Sequence, residues 1–289
     1  MSRPTDFVTF SRPASSAGGA TRSPLPPPRT AVLLTDTLEA PAQFALLQFV
    51  HRALRPQSQN GMAGGYTGRT AGQGRRKVVI IGVKEKEEYW AALLRKNGIQ
   101  LPSEIAAGRF SFVDASSPSQ PFSSLYTSIC GMLRTTSSDE EGEGALVIVD
   151  DLSALAWRGD GVRDVVNWWR AVKAAVDATD SSLISLLHAD SLSPSFPPNP
   201  SSTAFASTPF EDPEDQYLFR QILQHNDAWI EVTGLSTGGG AGGTRGEITV
   251  HRGPALLEES LTLDPIPPIQ YKLEDAGAAY EVKGIGRFL

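Results

Sequence analysis

The chain is short of several things that would narrow its function at once. It has one cysteine, Cys130, so an intramolecular disulfide is excluded, and a single thiol fits a reducing compartment. No apolar run reaches the length of a transmembrane helix, and the first residues lack the apolar core of a secretory signal, so no membrane association is expected. Only four histidines occur, at 51, 188, 225 and 251, without ligand spacing; with one cysteine this argues against a zinc site. Basic charge is also scarce. The 289 residues carry −6, and Arg3, Arg12, Arg22 and Arg29 stand against Asp6 alone in the first thirty. That segment is therefore +3 and the remainder −9, an acidic body that does not bind nucleic acid through net charge.

Proline and glycine, at 21 and 27 residues, are plentiful and clustered. Residues 1–30 are rich in Pro, Ser and Gly with almost no apolar periodicity, and are expected to form a disordered tail. Low-complexity loops are expected near 55–76, 190–212 and 236–246. Between them, residues 31–289 read as one domain. Apolar runs at 31–34, 77–83, 109–115, 145–151 and 182–190 have the character of strands buried on both faces. Helical spacing recurs at 41–54, 86–97, 122–134, 162–176 and 215–225. Further strands follow directly from 228 onward. Alternation followed by consecutive strands predicts an α/β fold: a mostly parallel central sheet flanked by helices, with C-terminal antiparallel strands. This order resembles the RecA-type nucleotide-hydrolase core.

That resemblance raises the question of catalysis. The run "ALVIVDD" ends a buried strand in Asp150, the place where such hydrolases hold magnesium. A phosphate loop needs G-x-x-x-x-G-K-[ST] between the first strand and first helix, so that backbone N–H groups and a lysine surround the phosphates. The residues there, "LLTDTLEAPAQF", have neither glycine nor lysine, and Asp36 and Glu39 would repel an anion. Pro41 removes a further N–H near the helix start. There is no functional P-loop, and Asp150 is expected to be a vestige, with Asp150 and Asp151 capping the following turn or helix. No catalytic, cofactor-binding or metal-ligating residue is assigned.

Two other motifs lack their context. "GLSTG" matches a nucleophile elbow but runs into glycines instead of a helix, and "GGGAGG" precedes a strand, not a helix. His188 stands at a strand end, where a sensor residue would sit in a working enzyme of this type. For nucleic acid, the acid-free loop carrying Arg69, Arg75, Arg76 and Lys77 is the candidate RNA-binding segment, with Tyr66 able to stack on a base. Arg245, Arg252, Lys283 and Arg287 are weaker candidates.

The stretches "AVLLTDTLEAPAQFALLQFV", "ALVIVDDLSAL", "AWIEVTGLSTG" leading into "GEITVHR", and "IQYKLEDAGAAYEVKGIGRFL" together resemble the Elongator complex protein 6 family. The resemblance implies a RecA-like fold without a working phosphate loop and no enzymatic activity of its own. It implies assembly with Elongator subunits four and five, two copies of each, into a six-membered ring. That ring would bind tRNA and support the catalytic Elongator subcomplex in modifying the wobble uridine, in the cytoplasm and also the nucleus. Two readings of other classes stay open: a divergent RecA-type ATPase, and a recombination accessory RecA paralogue that binds single-stranded DNA.

Overall fold

The computed structural model describes residues 6–12, 21–55, 75–134, 144–190, 213–235, 245–257, 261–263, 268–274 and 277–282. The chain opens with two short strands, β1 (Phe10–Arg12) and β2 (Thr21–Ser23), followed by β3 (Ala31–Asp36) and α1 (Gln43–Leu54). Then come β4 (Val78–Gly82), α2 (Glu87–Lys96), α3 (Leu101–Ala106), β5 (Phe110–Asp114) and α4 (Phe122–Arg134). The middle holds β6 (Leu146–Asp150), α5 (Leu152–Trp157), α6 (Val162–Ala178), β7 (Ser182–His188) and α7 (Pro213–Leu223). The end is all strand: β8 (Ala228–Gly234), β9 (Arg245–Arg252), β10 (Thr262–Leu263), β11 (Ile269–Glu274) and β12 (Gly277–Val282).

Nine strands make the main sheet in the order β12-β11-β9-β8-β3-β7-β6-β4-β5. From β8 through β5 every neighbouring pair is parallel, and β9, β11 and β12 continue the β8 edge antiparallel. The fold expected from the pattern is therefore the fold observed. Side-chain alternation explains why these runs are continuously apolar. Val32, Leu34, Ile80, Ile148 and Ile184 face one core with α1, α2 and α3. Leu33, Val79, Val147, Val149 and Leu183 face the other, with α4, α5, α6 and α7. A strand that feeds two cores has no polar face. The exception on β7, Ser185, has a specific partner: its hydroxyl accepts from the indole N–H of buried Trp169 on α6 at 2.8 Å. Gly82, where β4 ends, admits no side chain; a Cβ there would lie 2.3 Å from the Phe112 ring and 2.4 Å from the Glu85 carbonyl.

The expected disordered tail needs correction for its described part. β1 pairs with β2 and also with β10, so residues 10 and 11 lie beside 263 and 262. Phe7, Val8, Phe10 and Leu25 are buried. Phe7 meets Phe49 of α1 edge-on, with centroids 5.4 Å apart. The signal was invisible because these strands are three residues long and their partner lies near the other end of the chain. The loop expected at 236–246 ends earlier, since Arg245 and Gly246 already belong to β9. The loop residues 56–74, 191–212 and 236–244 lie outside the described residues. Among the described residues no helix is long and apolar enough to cross a membrane.

Candidate functional site at the carboxyl end of the sheet

Open parallel sheets bind ligands beyond the carboxyl ends of their strands, and here that edge is closed by the chain's own charges. β3 ends in Asp36, and its carboxylate turns back onto the start of α1, where Oδ2 accepts from the Ala42 N–H at 2.8 Å. The exposed carboxylate of Asp190, just past β7, accepts from the Leu38 N–H at 2.9 and 3.0 Å. In a phosphate loop, amides in this β-to-α turn point at an anionic ligand. In this chain carboxylates from two adjacent strands, β3 and β7, already occupy them.

His188, the last residue of β7, stands in register beside Asp36. Its Nδ1 bonds the other oxygen of Asp36, and its Nε2 lies 2.8 Å from Asp151 Oδ2 in a buried ion pair. Asp151 also caps α5, its Oδ1 accepting from the Ser153 N–H at 2.7 Å, and the Ser153 hydroxyl accepts from the His188 N–H at 2.8 Å. Burial pulls the imidazolium down, but the hydrogen bonds and charges of Asp151 and Asp36 outweigh it and push His188 up to about 10. His188 is therefore a cation at neutral pH, clamped between two buried carboxylates. Burial is also the largest influence on Asp36 and raises its pKa, against the lowering effect of His188. Lys84 Nζ approaches His188 Nε2 at 3.4 Å. The exposed indole of Trp157 stacks on the ring at a centroid distance of 5.3 Å and an angle of 7°.

Asp150, the vestigial magnesium-aspartate position, stands apart from this cluster chemically. It is fully buried, and neither carboxylate oxygen accepts a well-formed hydrogen bond. Burial, then Asp151, then Glu85 push it up to about 7, and Lys84 and the Trp90 indole offset only part of that. A metal-binding carboxylate must be ionised and reachable; this one is neither at mildly acidic pH. The magnesium nucleotide that this kind of fold implies does not fit: the amides are filled, the lysine is missing and the aspartate is sealed. Among the described residues no group of three or more His, Cys, Asp or Glu side chains is placed to hold a metal ion. The capping role expected at this strand end belongs to Asp151, which is the N-cap of α5.

The basic segment does not form one exposed patch in the fold. Arg69 and Tyr66 lie outside the described residues. Arg75 is exposed. Arg76 is not an RNA contact: it is 2% exposed and its guanidinium binds the carbonyls of Gly144, Pro26 and Ala145, the last two at 2.7 and 3.1 Å. It ties the N-terminal segment to the entry of β6. Lys77 likewise donates to the Met132 carbonyl at 2.8 Å, and burial lowers its pKa. Sequence cannot distinguish a buried arginine with three acceptors from one on a loop, since the acceptors come from remote segments. Arg76→Ala should destabilise the protein by about 3 kcal/mol, because it orphans several buried carbonyls. Arg75→Ala should change stability by less than about 0.5 kcal/mol. Denaturant titration of both variants checks the contrast.

The sheet order, the two helix layers and the β-to-α turns define a RecA-like α/β fold. Among solved structures, the KaiC-like protein PH0186 from the hyperthermophilic archaeon Pyrococcus horikoshii OT3 superposes with a TM-score of 0.56, over 88% of this chain and 90% of that one, at 9% identity. No family model matches the chain, and no curated protein matches it.

Proposed function

We propose that the chain is a non-catalytic assembly subunit of a RecA-like ring, the Elongator ring built with subunits four and five. Its task there is to complete a hetero-hexamer that binds tRNA and supports wobble-uridine modification by the catalytic Elongator subcomplex, in the cytoplasm and the nucleus. One observation carries the non-catalytic part. The frame of a nucleotide hydrolase is intact, yet the amides that would face phosphate donate instead to Asp36 and Asp190. A frame kept without its ligand suits a role in assembly. The particular ring rests on the sequence resemblance.

Exposed apolar groups support an interface at the same end. Leu38 (75% exposed) follows β3, Trp157 (55%) ends the helix after β6, and Leu235 follows β8. Large exposed apolar groups gathered at one end mark a contact surface more than scattered ones do. Trp168 and Trp169, also candidates for such a surface, are instead buried at 4% and 0%. Co-expression with Elongator subunits four and five, with the mass read by light scattering, is the test. A six-membered complex that forms only when this chain is present is the expected result. No association would defeat the proposal. ATP turnover by the purified chain would favour the divergent ATPase, and tighter binding to single-stranded DNA than to tRNA the recombination accessory.

A further inference from the structure

The basic side chains that do reach solvent come together at the amino end of the sheet. In a parallel sheet the crossover helices run back to that end, and α1 and α2 finish there side by side. The guanidinium of Arg55, the residue after α1, donates to the Asn97 carbonyl at the end of α2 at 2.7 Å. The chain re-enters at the same place: the Arg76 N–H bonds the Ala53 carbonyl at 2.9 Å, which sets Arg75 beside the last turn of α1. Arg95 and Lys96 occupy the last turn of α2. Arg55, Arg75, Arg95 and Lys96 thus converge from three separate stretches of chain, and all four are exposed.

Positive charge is in excess here. Three carboxylates at this end are already taken: Asp6 pairs with Arg52 at 2.8 Å, Glu104 with Arg109 at 2.6 Å and Asp180 with Arg29 at 2.7 Å. Among the described residues no ion pair neutralises Arg75, Arg95 or Lys96. Burial, and then the charges of Arg55 and Arg52, hold His51 below the usual imidazole range, so the positive field extends along α1. Cations at helix ends complement the helix dipole, but Arg75 belongs to no helix. Residues 56–74, which join Arg55 to Arg75, contain no acidic side chain. The acid-rich stretch 139–143 follows α4, which packs on the other face of the sheet from α1 and α2.

We propose that this amino-end patch binds the phosphate backbone of RNA. Neutralising phosphates supplies affinity through counterion release and needs no pocket, only cations spread over a surface. An acidic peptide would need apolar anchors as well, because a few buried hot-spot residues carry such interfaces. The large exposed apolar side chains Leu38, Trp157 and Leu235 lie at the opposite end of the sheet. The inference rests on the RNA-binding part of the reading above and adds the surface, one that an interface at the carboxyl end leaves open.

The probe is an unmodified tRNA transcript, titrated into the full-length chain and into its complex with Elongator subunits four and five, with anisotropy read across a salt series. Arg75→Gln/Lys96→Gln is compared with Lys86→Gln/Arg163→Gln, which removes the same charge from exposed positions at the carboxyl end. The first pair should weaken binding at least about tenfold at about 100 mM salt and flatten the dependence of log Kd on log salt by about 1.5. The second pair should change neither. All four side chains are exposed, so both proteins keep their fold, which circular dichroism verifies. Equal losses in the two pairs, no loss in the first, or no tRNA binding by chain or complex would overturn the inference. So would poly-glutamate that displaces the transcript as well as poly-uridylate of equal charge. Light scattering on the same samples separates this inference from the ring. A six-membered complex whose tRNA affinity ignores Arg75 and Lys96 defeats the patch alone. Binding by the isolated chain that follows the first pair upholds the patch even where no ring forms.

Discussion

Asp150→Asn is expected to make the protein more stable at pH 8, by on the order of 3 kcal/mol, and to leave it unchanged near pH 4. The sign follows from the direction of the shift. The folded carboxyl is raised from 3.8 to about 7, so the unfolded chain releases its proton first. The folded state is penalised progressively as pH rises from about 4 to about 7, and the penalty stays constant above that. Asparagine fills the same space without the charge, and the penalty goes with it. Thermal unfolding across pH 4–8 reads the effect as a rise in Tm of several degrees at the upper end. An aspartate that served magnesium would behave in the opposite way functionally, since its amide would abolish turnover. Under the proposed assembly role, formation of the complex with its partners should be untouched by the same substitution. A variant no more stable at pH 8 than its parent would show that Asp150 has a charge partner after all.

His188→Ala should be the most damaging single change at the strand ends, costing about 3–5 kcal/mol. It leaves Asp36 and Asp151, both 0% exposed, facing each other across a vacated cationic position. Breaking a buried pair from one side strands a charge that water cannot reach. The pH dependence gives a second reading. The folded pKa of His188 is raised from 6.5 to about 10, so its contribution is complete below about pH 6.5 and is lost as pH climbs toward 10. The parent should therefore lose stability from neutral to alkaline pH, and the alanine variant should show a flatter profile there. Denaturant midpoints at pH 6, 8 and 10 test both statements. Parallel profiles would remove the histidine from the explanation.

What sequence could and could not disclose follows from how local each signal is. The double-sided strands 146–150 and 182–188 and the helix 122–134 are readable because the periodicity that buries them lies within a dozen neighbouring residues. The loss of the phosphate loop was equally local, since glycine and lysine are simply missing from residues 35–42. Short elements escaped: α3 and α5 have six residues each, too few to show a period. The site itself could not be assembled from spacing. Asp36 and His188 are 152 positions apart, and only the parallel pairing of β3 with β7 brings position 36 beside 188. Position along the chain singles out Asp150, at the end of the buried strand, while its neighbour Asp151 holds both the cap and the ion pair. Arg76 misled for the same reason, since its carbonyl partners come from residues 26, 144 and 145.

The pairing of β1 with β10 also fixes a sequence of events in time. Phe10 leaves the ribosome early, and Leu263, its neighbour in the small sheet, follows roughly 250 residues later. At about 5–20 residues per second that is an interval of about 10–50 s. The parallel strands from β3 to β7 are all made within it, so the nucleus of the fold can condense first. Phe7 and Phe10 meanwhile lack the cover of Leu263 and of Tyr280, which Phe7 contacts at 5.8 Å in the finished protein. Phe7 and Phe10 are thus synthesised well before the side chains that finish enclosing them. For that interval the nascent chain offers a chaperone a binding segment around these two phenylalanines.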